Sequence, residues 1–337
     1  MLQDAESVCN ADFIEWKELI GKTILITGGT GLIGTSIVKS LLQADKDKVL
    51  NIKIICIVRN VKRAREKIGD AVILLTDSIE EKIKLEGDID YIIHAANPTS
   101  SSFFISHPVE TIQVAVKGTI NLLELAKEKN VKGFVYLSSM EVYGYPEKGH
   151  RVKESEISGF DTMITRNCYP LSKQICEAIC KAYQTEYRVP TKILRLTQTF
   201  GPGVELKDER VFAEFMRCVV NKTDIVLRST GGTERCYLYT SDAVTAILTV
   251  MTKGVAGEAY TAANQDTYCS IFEMAEMVAH ELAKDRIQVK SEIDDIDRGF
   301  ASELFMKLDT SKIEMLGWKA TRGLKEMYQR MIESGKE

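Results

Sequence analysis

The feature that most constrains this chain is Lys22-Thr-Ile-Leu-Ile-Thr-Gly-Gly-Thr-Gly-Leu-Ile-Gly34, where a run of β-branched and aliphatic residues meets glycines spaced three apart and a helical pattern follows. Strand, tight turn and helix in that order define a βα unit. Gly28 permits the turn, Gly31 lets backbone approach a pyrophosphate, and Gly34 lets the helix pack on its strand. The helix start then presents free N–H groups and the positive end of its dipole to the phosphates. Glycine turns end many strands, so the motif takes its meaning from the strand before it and the helix after it. With both present, the segment predicts a dinucleotide cradle formed by Gly28, Gly31, Leu32, Ile33 and Gly34.

The same alternation continues for nearly 200 residues. Apolar runs at Thr23–Thr27, Ile52–Val58, Ala71–Thr76, Tyr91–His94, Gly133–Ser138 and Lys192–Leu196 are separated by helix-period stretches at about 31–44, 60–68, 108–129 and 169–188. The strands are continuously hydrophobic, as burial on both faces requires, so the expected fold is α/β, a Rossmann-type doubly wound parallel sheet. Past Gly201-Pro-Gly203 the pattern becomes mixed, with helices near 208–221, 241–253 and 270–284, predicting a smaller mixed α/β lobe over the carboxyl ends of the strands. The expected division is an N-terminal helical segment over 1–20, suggested by Phe13, Trp16, Leu19 and Ile20, a cofactor domain over 21–200, and a substrate lobe over 201–337, with the chain free to cross between lobes.

Composition removes other classes. Lys and Arg number 44 against 48 Asp and Glu, a formal net charge of −4, with no basic patch beyond Lys62–Arg65, so a nucleic-acid role is not expected. No apolar run approaches the roughly 20 residues that span a bilayer, so no membrane role is expected either. The eight cysteines form no CxxC pair, which suits inert thiols in a cytoplasmic protein better than disulfides or a zinc site; no metal is expected.

The residue after the second strand should meet the adenosine ribose. An Asp there favours NAD, but this chain has Arg59, with Lys62 and Arg63 behind it. A guanidinium suits a 2′-phosphate, which inclines the choice between NAD and NADP toward NADP; a solvated basic helix start is the ordinary alternative. Asp77 and Ser78 are candidates for the adenine, and Ala95 and Ala96 give small residues where backbone must pass the cofactor.

Tyr169-Pro-Leu-Ser-Lys173 places a phenol and an ammonium one turn apart on a helix face. A Tyr near its ordinary pKa is a poor base at neutral pH, but a nearby cation and an oxidised nicotinamide favour the phenolate. Such pairs occur often by chance; the glycine cradle before it and Ser138-Ser139 at a strand end give this one context.

These pieces, with His94-Ala-Ala96, Gly118-Thr-Ile-Asn-Leu-Leu-Glu124, Ser138-Ser-Met-Glu-Val-Tyr-Gly144, Arg195 through Phe200-Gly-Pro202, and Arg235 followed by Tyr239-x-x-Asp242, resemble an extended short-chain dehydrogenase/reductase of the nucleotide-sugar epimerase/dehydratase family. The resemblance covers about residues 20–320. It implies a nicotinamide that takes hydride from a sugar carbon, usually at position 4, while Tyr169 removes the hydroxyl proton. Lys173 would bind the nicotinamide ribose, and Ser139 would hydrogen-bond the reacting oxygen.

Sugar-nucleotide 4,6-dehydratases carry an Asp-Glu pair where this chain has Met140 and Glu141, and a thioether cannot donate a proton. The chain is more similar to UDP-glucuronate decarboxylases, which share a single Glu at the place of Glu141, a run like Arg166-Asn-Cys-Tyr169, a segment like Asp208-Glu-Arg-Val211 and an Arg at Arg235. That likeness implies decarboxylation of a 4-keto sugar for surface-polysaccharide precursors, with Glu141 catalytic and Gln198, Arg210 and Arg235 on the substrate. Glu141 has an ordinary alternative as a cap on a backbone amide. Ala115 and Gln198 replace the family's usual Asn at two places, which leaves a 4-epimerase or net ketoreductase open. A non-catalytic NAD(P)-binding regulator would lose Tyr169 or Lys173; both are present. Family members commonly pair as homodimers through two helices, which the apolar positions in 108–129 and 171–187 permit.

Overall fold

The computed structural model describes residues 2–293 and 303–335. In chain order the strands are β1 (Thr23–Thr27), β2 (Lys53–Val58), β3 (Ile73–Thr76), β4 (Tyr91–His94), β5 (Gly133–Ser139), β6 (Arg151–Val152), β7 (Thr191–Leu196), β8 (Gln198–Phe200), β9 (Ile225–Leu227), β10 (Glu234–Tyr239), β11 (Ala259–Ala262), β12 (Asn264–Ser270), β13 (Val289–Ser291) and β14 (Phe305–Leu308). The helices are α1 (Leu2–Cys9), α2 (Leu32–Lys48), α3 (Val61–Ile68), α4 (Ser101–Ser106), α5 (Pro108–Glu128), α6 (Cys168–Tyr187), α7 (Val211–Asn221), α8 (Thr240–Lys253), α9 (Ile271–Met277), α10 (Ser311–Glu314) and α11 (Leu324–Ser334).

Seven strands form one parallel sheet in the order β11-β7-β5-β4-β1-β2-β3. The fold is α/β and Rossmann-like. Ile24 and Ile26 enter the core on one face with Ile37, Leu41, Val244 and Ile247, while Leu25 between them enters the other with Leu122, Leu123, Cys176 and Cys180. Two covered faces explain why β1 reads as an unbroken hydrophobic run. Strand order reverses between β1 and β4, so the crevice for a ligand lies at their carboxyl ends.

The second lobe contains a five-stranded sheet in which β10 lies between antiparallel β12 and parallel β14, with β6 beyond β14 and β8 also paired to β10. The lobes exchange strands. β11, from past residue 201, forms an edge of the large sheet, and β6, from before it, joins the smaller one. Near the N-terminus the α-helix lies at Leu2–Cys9, earlier than the apolar spacing suggests, while Trp16–Leu19 makes a single 3₁₀ turn.

Candidate active site

The cradle is built by close backbone approach. Gly28 has φ +72°, and a Cβ there would come within 2.8 Å of Ala95 C and Ala96 N, so the turn after β1 rests against the end of β4. A Cβ on Gly34 would sit on the Gly28 carbonyl, which ties α2 to the turn. Gly31 differs: its Cβ would meet only Gly28 O, at 3.4 Å, and it caps the N-terminus of α2 with no side chain in the way. That open position beside the free N–H groups of Leu32 and Ile33 fits a dinucleotide pyrophosphate. Just past Ala96, both amide atoms of Asn97 are buried without a hydrogen-bond partner, as a group awaiting a ligand would be.

Below the cradle, Thr27 Oγ1 meets His94 Nδ1 at 2.8 Å and accepts from Ala96 N at 3.2 Å, while His94 Nε2 meets Thr119 Oγ1 at 3.2 Å. Burial, then the Lys173 charge, pull the imidazole down to about 3, so it is neutral. Just past the end of β2 Arg59 is exposed and makes no hydrogen bond or ion pair among the described residues. Asp77 Oδ1 accepts from Ser78 N at 2.8 Å, and Ser78 Oγ from Glu80 N at 3.2 Å.

Tyr169 and Lys173 share the buried face of α6. The Tyr169 ring stacks on Phe104, with centroids 4.2 Å apart. Burial, then the negative charge of Glu141, push the phenol above its ordinary value, while a hydrogen bond with Ser139 and the charges of Arg166 and Arg210 oppose this. Ser139, Glu141, Arg166 and Arg210 thus all act on the Tyr169 phenol. Lys173 Nζ donates to Leu137 O at 2.7 Å, and desolvation pulls its pKa down to about 8.

Ser139 begins the 3₁₀ turn Met140–Tyr143, its hydroxyl accepting from Glu141 N at 3.2 Å. Among the described residues the Glu141 carboxylate caps no backbone amide; Arg166 Nη2 donates to its Oε2 at 3.2 Å. Met140 turns away into an apolar cluster with Val142, Tyr143, Val152 and Met306. Behind the site, Arg195 Nε and Nη2 donate to the two oxygens of Glu177 at 3.0 and 2.7 Å, and Ser138 Oγ donates to Oε1 at 2.5 Å. This buried network joins β5, β7 and α6, the elements that carry Ser139 and Tyr169.

In the second lobe Arg235 Nη1 donates to Gln198 Oε1 at 2.9 Å, and Arg235 Nε is buried without a partner. Arg210 forks onto Asp208 through Nε and Nη2. Among the described residues no cluster of three His, Cys, Asp or Glu side chains could hold a metal.

In the sequence Arg166 is marked only by its place in the run leading to Tyr169, three residues before the phenol, and that spacing is the one signal for its part in the site. Phe104 gave none, since only folding brings α4 against α6.

Residues 24–264 match the model of the NAD dependent epimerase/dehydratase family. The chain belongs to that family of nucleotide-sugar enzymes. It is 29% identical to UDP-glucuronic acid decarboxylase 6 of Arabidopsis thaliana over 92% of this chain and 88% of that one. It is also 29% identical to dTDP-D-glucose 4,6-dehydratase of Bos taurus, over 93% of this chain and 88% of that one. An epimerase from Methanothermobacter thermautotrophicus superimposes with a TM-score of 0.82 at 20% identity, covering 97% and 96% of the two chains. The dTDP-glucose 4,6-dehydratase DesIV of Streptomyces venezuelae, solved with NAD bound, gives 0.78 at 22%, covering 93% and 97%.

Proposed function

We propose that this enzyme oxidises the sugar of a nucleotide sugar at position 4 and, on UDP-glucuronate, releases carbon dioxide to leave a pentose nucleotide. The observation that carries this reading is the single acid beside Tyr169. Glu141 stands there paired with Arg166, while Met140 lies in an apolar cluster where a dehydratase needs a proton donor.

A bound nicotinamide supplies the hydride acceptor. Tyr169 takes the proton of the 4-hydroxyl, Ser139 holds the reacting oxygen, and Lys173 supplies positive charge on the same helix face. The bond between the neighbouring carbon and its carboxylate then breaks, its electron pair passing into the 4-ketone as carbon dioxide leaves. The Glu141–Arg166 pair balances charge and returns a proton to that carbon, and the hydride held by the reduced cofactor would go back to carbon 4 with the proton of Tyr169 to leave the pentose. Arg235, whose Nε is free, and Arg210 suit a diphosphate. A 4-epimerase or net ketoreductase is the second reading, favoured by Gln198 already turned onto Arg235.

Arg59, unpaired at the end of β2, supports binding of NADP alongside NAD. Val109, Ile112 and Ile120 of α5 and Ile175 of α6 expose apolar surface at helical spacing, which supports a homodimer through these helices. No described helix is long and apolar enough to cross a membrane. All eight cysteines are free thiols, which supports a reducing, cytoplasmic setting, and the role in surface-polysaccharide precursor synthesis rests on the proposed pentose-nucleotide product. The test is incubation with UDP-glucuronate, following carbon dioxide and the product nucleotide. Both should form; tightly held cofactor with an unchanged substrate would end the decarboxylase reading.

A further inference from the structure

Five cations lie within nine residues at the end of β2: Arg59, Lys62, Arg63, Arg65 and Lys67. Three of them are already engaged: Arg65 pairs with Asp70 at 3.3 Å, and two others converge on one carboxylate. Arg63 and Lys67 are one turn apart on α3, and both reach the same oxygen of Glu205: Arg63 Nη2 at 3.1 Å and Lys67 Nζ at 2.9 Å. Glu205 comes from the segment between β8 and α7, about 140 residues away in sequence, so the contact exists only when the second lobe is folded over the cofactor domain. The segment is held again at Glu209, whose Oε2 accepts from Ser102 Oγ of α4 at 2.7 Å. Arg59 and Lys62 have no partner among the described residues.

We infer that Glu205 is the residue through which the second lobe sets the choice between NAD and NADP. By the geometry of this fold, the adenosine ribose lies at the end of β2, where a 2′-phosphate is drawn by whatever cations are free. Glu205 withholds Arg63 and Lys67 and leaves Arg59 and Lys62, so it tilts a basic edge back toward NAD. The inference rests on the dinucleotide reading of the cradle and on no assumption about the sugar.

The test is a competition for the cofactor site. The purified chain and its Glu205→Gln variant are equilibrated with equal amounts of NAD and NADP and separated from free nucleotide. The retained cofactors are then released by denaturation and quantified by mass spectrometry. Glu205→Gln should raise the retained NADP-to-NAD ratio about fivefold, the scale expected for freeing exposed ion-pair partners. In a chain carrying Arg63→Ala and Lys67→Ala, adding Glu205→Gln should leave the ratio unchanged. An unchanged ratio in the single variant overturns the inference, as does a full effect that survives loss of both cations. Failure of the unmodified chain to retain either cofactor would instead overturn the dinucleotide reading beneath it.

Discussion

Arg166 donates to the Glu141 carboxylate at 3.2 Å, and the two act on the Tyr169 phenol with opposite sign: the carboxylate disfavours phenolate and the guanidinium favours it. Neutralising one member should therefore move the Tyr169 ionisation in a direction its charge dictates. Glu141→Gln should shift the rising limb of kcat/KM against pH to lower pH, and Arg166→Leu to higher pH. If Glu141 also returns a proton, Glu141→Gln should lower kcat by at least about a hundredfold. Both are read from pH–rate profiles.

Tyr169→Phe removes only the phenolic hydroxyl and keeps the ring against Phe104. Turnover should fall by roughly 10²–10⁴, the range for losing a positioned proton-transfer group. Retained cofactor, measured after denaturation, should not change. Normal activity would sink the proton-transfer role.

Gly31 and Gly34 should separate binding from folding. Gly34→Ala puts a methyl on the Gly28 carbonyl and should cost several kcal/mol, seen as low soluble yield or a collapsed melting temperature. Gly31→Ala meets nothing closer than 3.4 Å, so stability should stay within about 1 kcal/mol. Cofactor retention should nevertheless drop, because the methyl occupies the approach to the pyrophosphate.

His94 titrates in the folded chain at about 3, against about 6.5 when unfolded. Between those values the unfolded state binds the extra proton, so the stability this neutral imidazole supports is present above about pH 6.5 and lost as pH falls toward 3. The slope from this one group is at most about 1.4 kcal/mol per pH unit. Urea unfolding of His94→Gln over pH 6.5 to 4 should show a correspondingly shallower loss.

Arg59→Ala should weaken NADP about tenfold through loss of a charge-assisted contact, with a smaller effect on NAD. Equal effects in paired titrations would remove Arg59 as a discriminating residue.

The sheet was legible because a strand buried on both faces must be hydrophobic throughout: the runs read from sequence for β1 and β4 coincide with the strands observed. Local motifs were legible for the same reason. Gly34 is forced by backbone contact a few residues away, Gly28 by the positive φ of the turn it makes, and Tyr169 and Lys173 by helix spacing. What escaped depends on distance along the chain. Nothing near Phe104 announces that its ring will lie on Tyr169, and nothing near Glu205 announces α3. The helix at Leu2–Cys9 was missed because Ala5, Val8 and Cys9 alone make a short apolar stripe, whereas the larger residues at 13–20 draw the eye to a segment that is mostly turn.

The exchange of strands between the lobes makes the enzyme a poor candidate for division. A fragment ending at Gly201 would lose β11 and leave β7 with a bare row of amides and carbonyls, an invitation to pair with another molecule. The remainder would lose β6 from the flank of β14. Neither half can be borrowed alone as a ready-made module, and a new sugar specificity is better sought by rebuilding the loops of the intact chain than by grafting one half onto a foreign partner.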